Sequence, residues 1–138
     1  MITAVDTNVL FDLLLPNEAF VGQSSATVER AANEGSLVIC DLVYAELCAA
    51  FPTQRECDVF LEDLAIRVEA LSRPASYLAS RIWRSYRSGG GARTRILGDF
   101  LIGAHASEQT SRLLSRDRGF YRKMFPSLIL LDPAKSTR

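Results

Sequence analysis

The sequence contains little cysteine, one histidine and no long apolar run. Cys40, Cys48 and Cys57 are odd in number and show no CxxC spacing, which argues against a disulfide framework or a zinc site. No stretch approaches the ~18 apolar residues of a membrane span. The N-terminus lacks a basic segment, and Asp6 interrupts its apolar run, so we expect no signal peptide. These features predict a cytoplasmic protein in a reducing compartment, without membrane contact.

The charges balance overall but are distributed unevenly. Sixteen basic and sixteen acidic residues cancel, yet residues 1–80 hold twelve acids and four bases, and residues 81–138 hold twelve bases and four acids. This separation indicates either a basic surface for a polyanion beside an acidic feature, or two halves that attract each other. The length of 138 residues and the hydrophobic content of 48% predict one globular domain over residues 1–138.

Short apolar runs alternate with helical patterns along the chain. Turn and capping residues separate them, and this alternation predicts one mostly parallel sheet of four to five strands with helices on both faces, an α/β fold. A short turn is expected at 119–121. The predicted strands lie at 2–5, 37–40, 66–69, 112–115 and 128–131, and the predicted helices at 9–15, 20–33, 41–51, 53–64, 74–88 and from 99 onward.

Two of the predicted strands are followed by an aspartate. Asp6 ends the first strand, and Asp117 follows the fourth. In open α/β sheets, ligands gather at the carboxyl ends of the strands, which makes both carboxylates candidates for a site. The alternative for Asp6 is an N-cap of the next helix.

Two further acids stand out on predicted helices. Glu46 interrupts the apolar face of the helix over 41–51, and a carboxylate in a core position must be neutralised, paired with an arginine or bound to a cation. Asp99 opens the helix that carries Gly103, either as an N-cap or as part of the same acidic group. His105 lies about 120° around that helix from Asp99, so we interpret it as structural.

The four acids converge at one edge if the first and fourth strands are neighbours in a parallel sheet. Each pair of like charges near 4 Å then repels by about 4 kcal/mol at an effective dielectric constant of ~20. Protonation or a hard divalent cation relieves such repulsion. A site with oxygen ligands alone favours Mg²⁺ or Mn²⁺ over zinc.

The sequence around these acids resembles a known family. Four segments are similar to the acidic motifs of PIN-domain nucleases, and their order and spacing are closest to VapC-type toxins of bacterial toxin–antitoxin pairs. The resemblance covers essentially the whole chain. The four segments are Val5-Asp6-Thr7-Asn8, Ala45-Glu46-Leu47, Asp99-Phe100-Leu101-Ile102-Gly103-Ala104-His105-Ala106 and Leu113-Leu114-Ser115-Arg116-Asp117-Arg118-Gly119-Phe120.

The resemblance implies a PIN-like three-layer α/β/α sandwich and Mg²⁺- or Mn²⁺-dependent endoribonuclease activity, in which a metal-activated water hydrolyses RNA. It also implies inhibition by a cognate VapB-type antitoxin and, usually, a homodimer. Ser115 stands where threonine is common in the family, and Gly103 where alanine is. The implied catalytic and metal-binding acids are Asp6, Glu46, Asp99 and Asp117, and the supporting polar residues are Thr7, Asn8 and Ser115.

Basic and apolar segments supply candidate binding surfaces. The apolar stretch over 10–21 is a candidate antitoxin groove, unless it is buried in the core or in a dimer interface. Arginine and lysine side chains near the acids are candidates for contacts to the RNA backbone, which weaken with salt. For each of them, a solvated surface role is the alternative. These candidates are Arg93, Arg95, Arg116, Arg118, Arg122 and Lys123.

Two other functions compete with the nuclease hypothesis. The first is a non-catalytic PIN-like module that keeps the acidic cluster but acts by binding a partner. The second is a phosphoryl-transfer protein, which fits less well because a receiver domain needs a lysine at a late strand end and the phosphatase pattern DxDx[TV] needs an aspartate where Asn8 stands. The single histidine argues against a metal-free, two-histidine ribonuclease.

Overall fold

A computed structural model describes residues 1–15, 19–91 and 97–135. Five strands and seven helices alternate within these residues. The strands are β1 (Ile2–Val5), β2 (Ser36–Cys40), β3 (Ile66–Glu69), β4 (Arg112–Leu114) and β5 (Leu130–Leu131). The helices are α1 (Thr7–Leu14), α2 (Val21–Glu34), α3 (Asp41–Cys48), α4 (Gln54–Asp63), α5 (Arg73–Ser88), α6 (Leu97–Gln109) and α7 (Phe120–Met124).

The five strands form one parallel sheet in the order β3-β2-β1-β4-β5. The central strands are buried on both faces, as expected when helices cover a parallel sheet. The predicted α/β fold, a three-layer α/β/α sandwich with a mostly parallel sheet, is therefore confirmed. None of the helices in the described part of the chain is both long and apolar enough to cross a membrane.

The pairing of β1 with β4 determines where the site lies. Val5 pairs with Leu114 in parallel register, and the Asp6 N–H donates a 2.9 Å hydrogen bond to the Leu114 carbonyl oxygen. Both strands end at this point, so the residues that follow them emerge side by side. The two strand ends with predicted acids are neighbours in the sheet.

Helix α1 begins earlier than predicted, because Asp6 caps it. The Asp6 carboxylate accepts a 2.7 Å hydrogen bond from the Thr7 N–H, so the helix starts at Thr7 rather than near Val9. Asp6 is therefore the N-cap of α1 and also follows directly on the carboxyl end of β1. Its part in a ligand site stays a prediction.

The largest difference from the predicted elements is α7, which stands where a turn was expected. Gly119 adopts φ 113°, a left-handed conformation that glycine reaches without strain, and the helix begins directly after it. Five residues are too few to show helical periodicity in a sequence. Two strands are also shorter than predicted, because β4 stops at Leu114 and β5 covers only Leu130–Leu131.

The prediction that His105 is structural is confirmed. His105 is almost fully buried in α6, and its Nε2 lies 2.9 Å from Glu69 Oε1 at the end of β3. The same carboxylate oxygen accepts a 3.2 Å hydrogen bond from the Gln109 side chain. These contacts hold α6 against the edge strand of the sheet.

Gly103 lets α6 approach α7 closely. The residue is buried, and a Cβ atom built on it would overlap the ring of Phe125, which is itself only 4% exposed. A small residue at this position is therefore required by packing. This contact explains why the chain has glycine where alanine is common in the family it resembles.

We predict that Gly103→Ala lowers the thermal stability. Overpacking against Phe125 costs about 1–3 kcal/mol, which exceeds the gain of about 1 kcal/mol in helix propensity. The matched control is Gly22→Ala in α2, where the new Cβ meets no described atom within 4 Å apart from its chain neighbours and the backbone of its own helix. Thermal unfolding should rank Gly103→Ala below the wild type and Gly22→Ala at or above it, and Phe125→Leu should reduce the penalty. A Gly103→Ala protein as stable as the Gly22→Ala protein would contradict this packing.

Candidate functional site

A cavity of about 370 Å³ opens at the carboxyl ends of β1 and β4. Its wall combines residues that follow both strands with residues from α3, α6 and α7. All four acids selected from the sequence line it: Asp6, Glu46, Asp99 and Asp117. The predicted convergence of these side chains is thus present in the structure, whereas their catalytic and metal-binding roles stay predictions.

Asp6 is the most enclosed of the four carboxylates that line the cavity. It is 7% exposed, and its two oxygens accept hydrogen bonds from the Thr7 N–H at 2.7 Å and the Ser115 hydroxyl at 2.8 Å. The Tyr121 hydroxyl donates a further hydrogen bond. Burial raises the pKa of Asp6 above its usual value, the negative charge of Glu46 adds to this effect, and the three hydrogen bonds oppose it.

Asp117 is held by the backbone of α7. Its two carboxylate oxygens accept hydrogen bonds from the N–H groups of Tyr121 at 3.0 Å and Arg122 at 3.1 Å. The side chain is 8% exposed and therefore has a fixed position. Each oxygen retains a second lone pair, so capping α7 and binding a cation are compatible roles.

Glu46 lies at the mouth of the cavity and not in the core. The prediction that it occupies a core position of α3 is wrong, because the residue is exposed and α3 buries Val43 and Leu47 instead. Its described partner is the Thr7 hydroxyl, which donates a 2.7 Å hydrogen bond to Oε1. Thr7 thereby links two of the acids, since its N–H binds Asp6 and its hydroxyl binds Glu46.

Asp99 and Tyr121 complete the wall of the cavity. Asp99 is half-buried in the first turn of α6. Burial strongly raises the pKa of the Tyr121 hydroxyl, and the negative charges of Asp6, Asp99 and Glu46 raise it further, so the hydroxyl stays protonated and acts as a donor. Tyr121 is a site residue that the sequence analysis missed. The available signal was its spacing of four residues from Asp117, which becomes informative only if this segment is helical.

Asn8 and Arg116 fix the segment that leads from β4 to α7. Asn8 Oδ1 accepts a 3.3 Å hydrogen bond from the Arg116 N–H, and Asn8 Nδ2 lies 3.4 Å from both the Arg116 carbonyl oxygen and Ser115 Oγ. Two of the predicted supporting residues, Asn8 and Ser115, therefore contact each other. These hydrogen bonds attach the segment that precedes Asp117 to the first turn of α1.

Arg116 also lines the cavity, but its guanidinium is engaged by residues of other segments. Its guanidinium forms a two-point ion pair with Asp12 at 2.7 and 3.0 Å, and it lies 4.0 Å from the centre of the Phe20 ring. Asp12 also accepts a 2.6 Å hydrogen bond from the Ser24 hydroxyl. These contacts favour a structural role for Arg116, because its charge is already neutralised.

The other predicted RNA contacts differ in position. Arg118 is exposed and lines the acidic cavity. Arg122 and Lys123 are exposed on α7. Arg93 and Arg95 lie outside the described residues. Among the predicted cations that the structure describes, Arg116 and Arg118 line the cavity, and Arg116 is already paired with Asp12, which leaves Arg118 to contact a phosphate there.

The donor chemistry of the cavity fits a hydrated divalent cation. Among the described residues, no three His, Cys, Asp or Glu side chains are arranged closely enough to enclose a metal ion by themselves. Mg²⁺ rarely needs such a cage, because it retains several waters and binds through one or two carboxylates. The lining acids supply oxygen donors, and a cation would relieve the repulsion that contributes to the raised pKa of Asp6.

Comparisons with known proteins identify related sequences and folds. The family model of the PIN domain matches residues 3–126. No curated protein matches the sequence significantly. At 18–21% identity, three similar solved structures show that the fold is shared. They are VapBC-1 from nontypeable Haemophilus influenzae (TM-score 0.75, 20% identity, covering 98% of this chain and 100% of that chain), VapBC2 from Rickettsia felis bound to a DNA fragment from their promoter (0.70, 18%, 96% and 98%), and FitAcB from Neisseria gonorrhoeae (0.68, 21%, 98% and 99%).

We predict that replacing two buried aspartates by asparagine changes the free energy of unfolding in opposite directions. The pKa of Asp6 in the folded protein is raised above 3.8, so ionisation of Asp6 costs stability, and this cost grows as the pH rises through the folded-state pKa. Asp6→Asn should therefore stabilise the metal-free protein at neutral pH, because the amide carries no charge to be buried. Asp12→Asn should destabilise it by about 3 kcal/mol, because it removes one partner of a buried ion pair.

Thermal unfolding in EDTA, from about pH 8 down to about pH 5, measures both effects. The melting temperature of the wild type should rise relative to that of Asp6→Asn as Asp6 becomes protonated. A lower melting temperature for Asp6→Asn than for the wild type at neutral pH would contradict the raised pKa of Asp6.

Proposed function

The chain belongs to the PIN domain family, and from this premise we propose that it is a metal-dependent endoribonuclease, the VapC-type toxin of a toxin–antitoxin pair. The observation that carries the proposal is the shared cavity of Asp6, Glu46, Asp99 and Asp117, which come from four separate segments. The solved structures named VapBC support the proposed class of toxin and partner.

Asp6 and Asp99 are the proposed primary ligands, and Glu46 and Asp117 bind the ion directly or through water. A divalent cation bound here supplies activation of a water molecule and neutralises charge on the attacked phosphate. The hydrogen bonds from Thr7 and Ser115 keep the Asp6 carboxylate in one orientation before the ion binds. Such preorganisation costs no rearrangement during the reaction.

Two other side chains act on the substrate or on the acids. Arg118 lines the cavity as an exposed cation and is the proposed contact to the RNA phosphate. Tyr121 donates a hydrogen bond to Asp6 and is a positioning residue, because its hydroxyl does not ionise in this acidic environment. Neither role requires a nucleophilic side chain, since water is the attacking group.

The proposed partner is a VapB-type antitoxin, and the proposed assembly is a homodimer of the toxin. Helix α1 offers an apolar surface for one of these contacts. Leu15 at its end is 64% exposed, and Phe11, Leu13 and Leu14 are half-buried. Leu10 in the same stretch belongs to the core, so only part of the segment predicted over 10–21 is accessible.

We predict that the purified protein cleaves RNA with Mg²⁺ or Mn²⁺, and that EDTA abolishes cleavage. Asp99→Asn should reduce the rate by roughly 10²-fold or more, because it removes charge where the cation and the phosphate must be stabilised. The matched control is Asp63→Asn, an exposed aspartate at the end of α4. Gel analysis of labelled RNA gives the rates.

The same assay separates the nuclease from the competing functions. Equal cleavage by Asp99→Asn and Asp63→Asn would assign the activity to a contaminant or to another site. Lack of cleavage of every RNA tested, by a folded protein that still binds its antitoxin, would favour the non-catalytic binding module. Sequencing the ends of the cut RNA then identifies the substrate.

We predict that Tyr121→Phe shifts the acid limb of the pH profile of kcat/KM to higher pH. Loss of the hydroxyl removes a hydrogen bond that lowers the pKa of Asp6, and the expected shift is roughly 0.5–1 pH unit for a hydrogen bond of about 1 kcal/mol. Tyr77→Phe is the control, since Tyr77 is 64% exposed on α5. Identical profiles for the two variants would show that Tyr121 does not act through Asp6.

A further inference from the structure

A second cavity, of about 400 Å³, lies between α5 and α7. Arg81 and Lys123 line it with exposed cationic side chains, and Ile82, Tyr86 and Met124 give it a half-buried apolar wall. None of the described residues that line it is acidic. This cavity therefore combines positive charge with an apolar surface.

The two cationic side chains keep their charge available. Arg81 lies over the ring of Tyr77, at 5.1 Å from the ring centre, a contact that orients the guanidinium without neutralising it. In the described part of the chain, neither Arg81 nor Lys123 forms an ion pair with a carboxylate. An anionic ligand would thus supply the missing counter-charge.

This cavity adjoins the acidic one. Helix α7 lines both, with Phe120 in the acidic cavity and Lys123 in the second. At a rise of about 1.5 Å per residue, these positions are separated by less than one helical turn along the axis. A row of rings joins the two walls, because Phe100 lies 5.1 Å from Phe120 and 5.4 Å from Tyr86.

We propose that the second cavity binds a nucleotide of the RNA strand next to the phosphate that is cleaved. Arg81 and Lys123 contact a backbone phosphate, and the apolar wall, which includes Met124, receives the base. This inference rests on the proposed ribonuclease function. Single-stranded RNA fits because each nucleotide presents an anionic phosphate and a planar apolar surface together.

RNA binding by the metal-free protein tests the proposal without cleavage. A short labelled single-stranded RNA of mixed sequence is titrated in EDTA at several salt concentrations, with fluorescence anisotropy as the readout. Arg81→Ala/Lys123→Ala should bind about fivefold to tenfold more weakly, and the slope of log K against log[salt] should fall by about 0.7 for each lost phosphate contact. The matched control is Arg55→Ala/Arg67→Ala, which removes two exposed arginines from α4 and β3.

A variant that fills the cavity tests how much its shape contributes to RNA binding, separately from its charge. Ser85 is an exposed residue that lines the cavity, and Ser85→Leu leaves the charge of the protein unchanged. This variant should lower the RNA affinity roughly fivefold or more, since the leucine side chain then occupies the space in which the base stacks. Circular dichroism of each variant verifies that the fold is retained.

The outcomes distinguish the two levels of the proposal. If the wild type cleaves RNA but the double variant and Ser85→Leu bind RNA like the control, the nucleotide subsite is wrong and the ribonuclease function stands. If the two variants keep RNA affinity and lose binding of the antitoxin, the cavity is a protein-binding surface and the subsite is likewise wrong. If the wild type neither binds nor cleaves RNA, both proposals fail.

Discussion

A carboxylate, Asp6, is buried next to a second acid at the carboxyl end of the sheet, and the surrounding elements must offset the cost of its charge. Asp6 is buried beside Glu46, and its raised pKa reflects both burial and that neighbouring charge. Hydrogen bonds from Thr7, Ser115 and Tyr121 lower the cost but do not cancel it. A cation bound there would reduce this cost, and the proposed ribonuclease chemistry would use the same cation.

The elements around the cavity keep the acids in place against their repulsion. Parallel pairing of β1 with β4 brings Asp6 beside Ser115, and the backbone of α7 fixes Asp117. The ion pair between Arg116 and Asp12 attaches the segment after β4 to α1. Removal of either partner of this ion pair is therefore expected to disturb the site through the position of this segment.

The sequence predicted those features that depend on local pattern. Buried strands followed by an acid, as at Asp6, are visible as an apolar run that stops abruptly, and the third strand was predicted with its observed bounds, Ile66–Glu69. The burial of Glu46 was predicted wrongly, because helical periodicity defines a face but not what covers it. Helix α7 and Tyr121 were missed, because five residues are too few to show helical periodicity in the sequence. The hydrogen bonds from the start of α7 to Asp117 become visible only in the folded chain. The ion pair of Arg116 spans 104 residues in the sequence, so only the folded chain reveals it.

We propose that four carboxylates from separate segments form one divalent-cation site, and anomalous diffraction from crystals soaked in Mn²⁺ would locate the ion. We expect an anomalous peak inside the cavity bounded by Asp6, Glu46, Asp99 and Asp117, with water completing the coordination shell. The peak should be lost in Asp99→Asn crystals. A cavity without an anomalous peak in fully soaked crystals, or a peak that persists unchanged in Asp99→Asn, would contradict it.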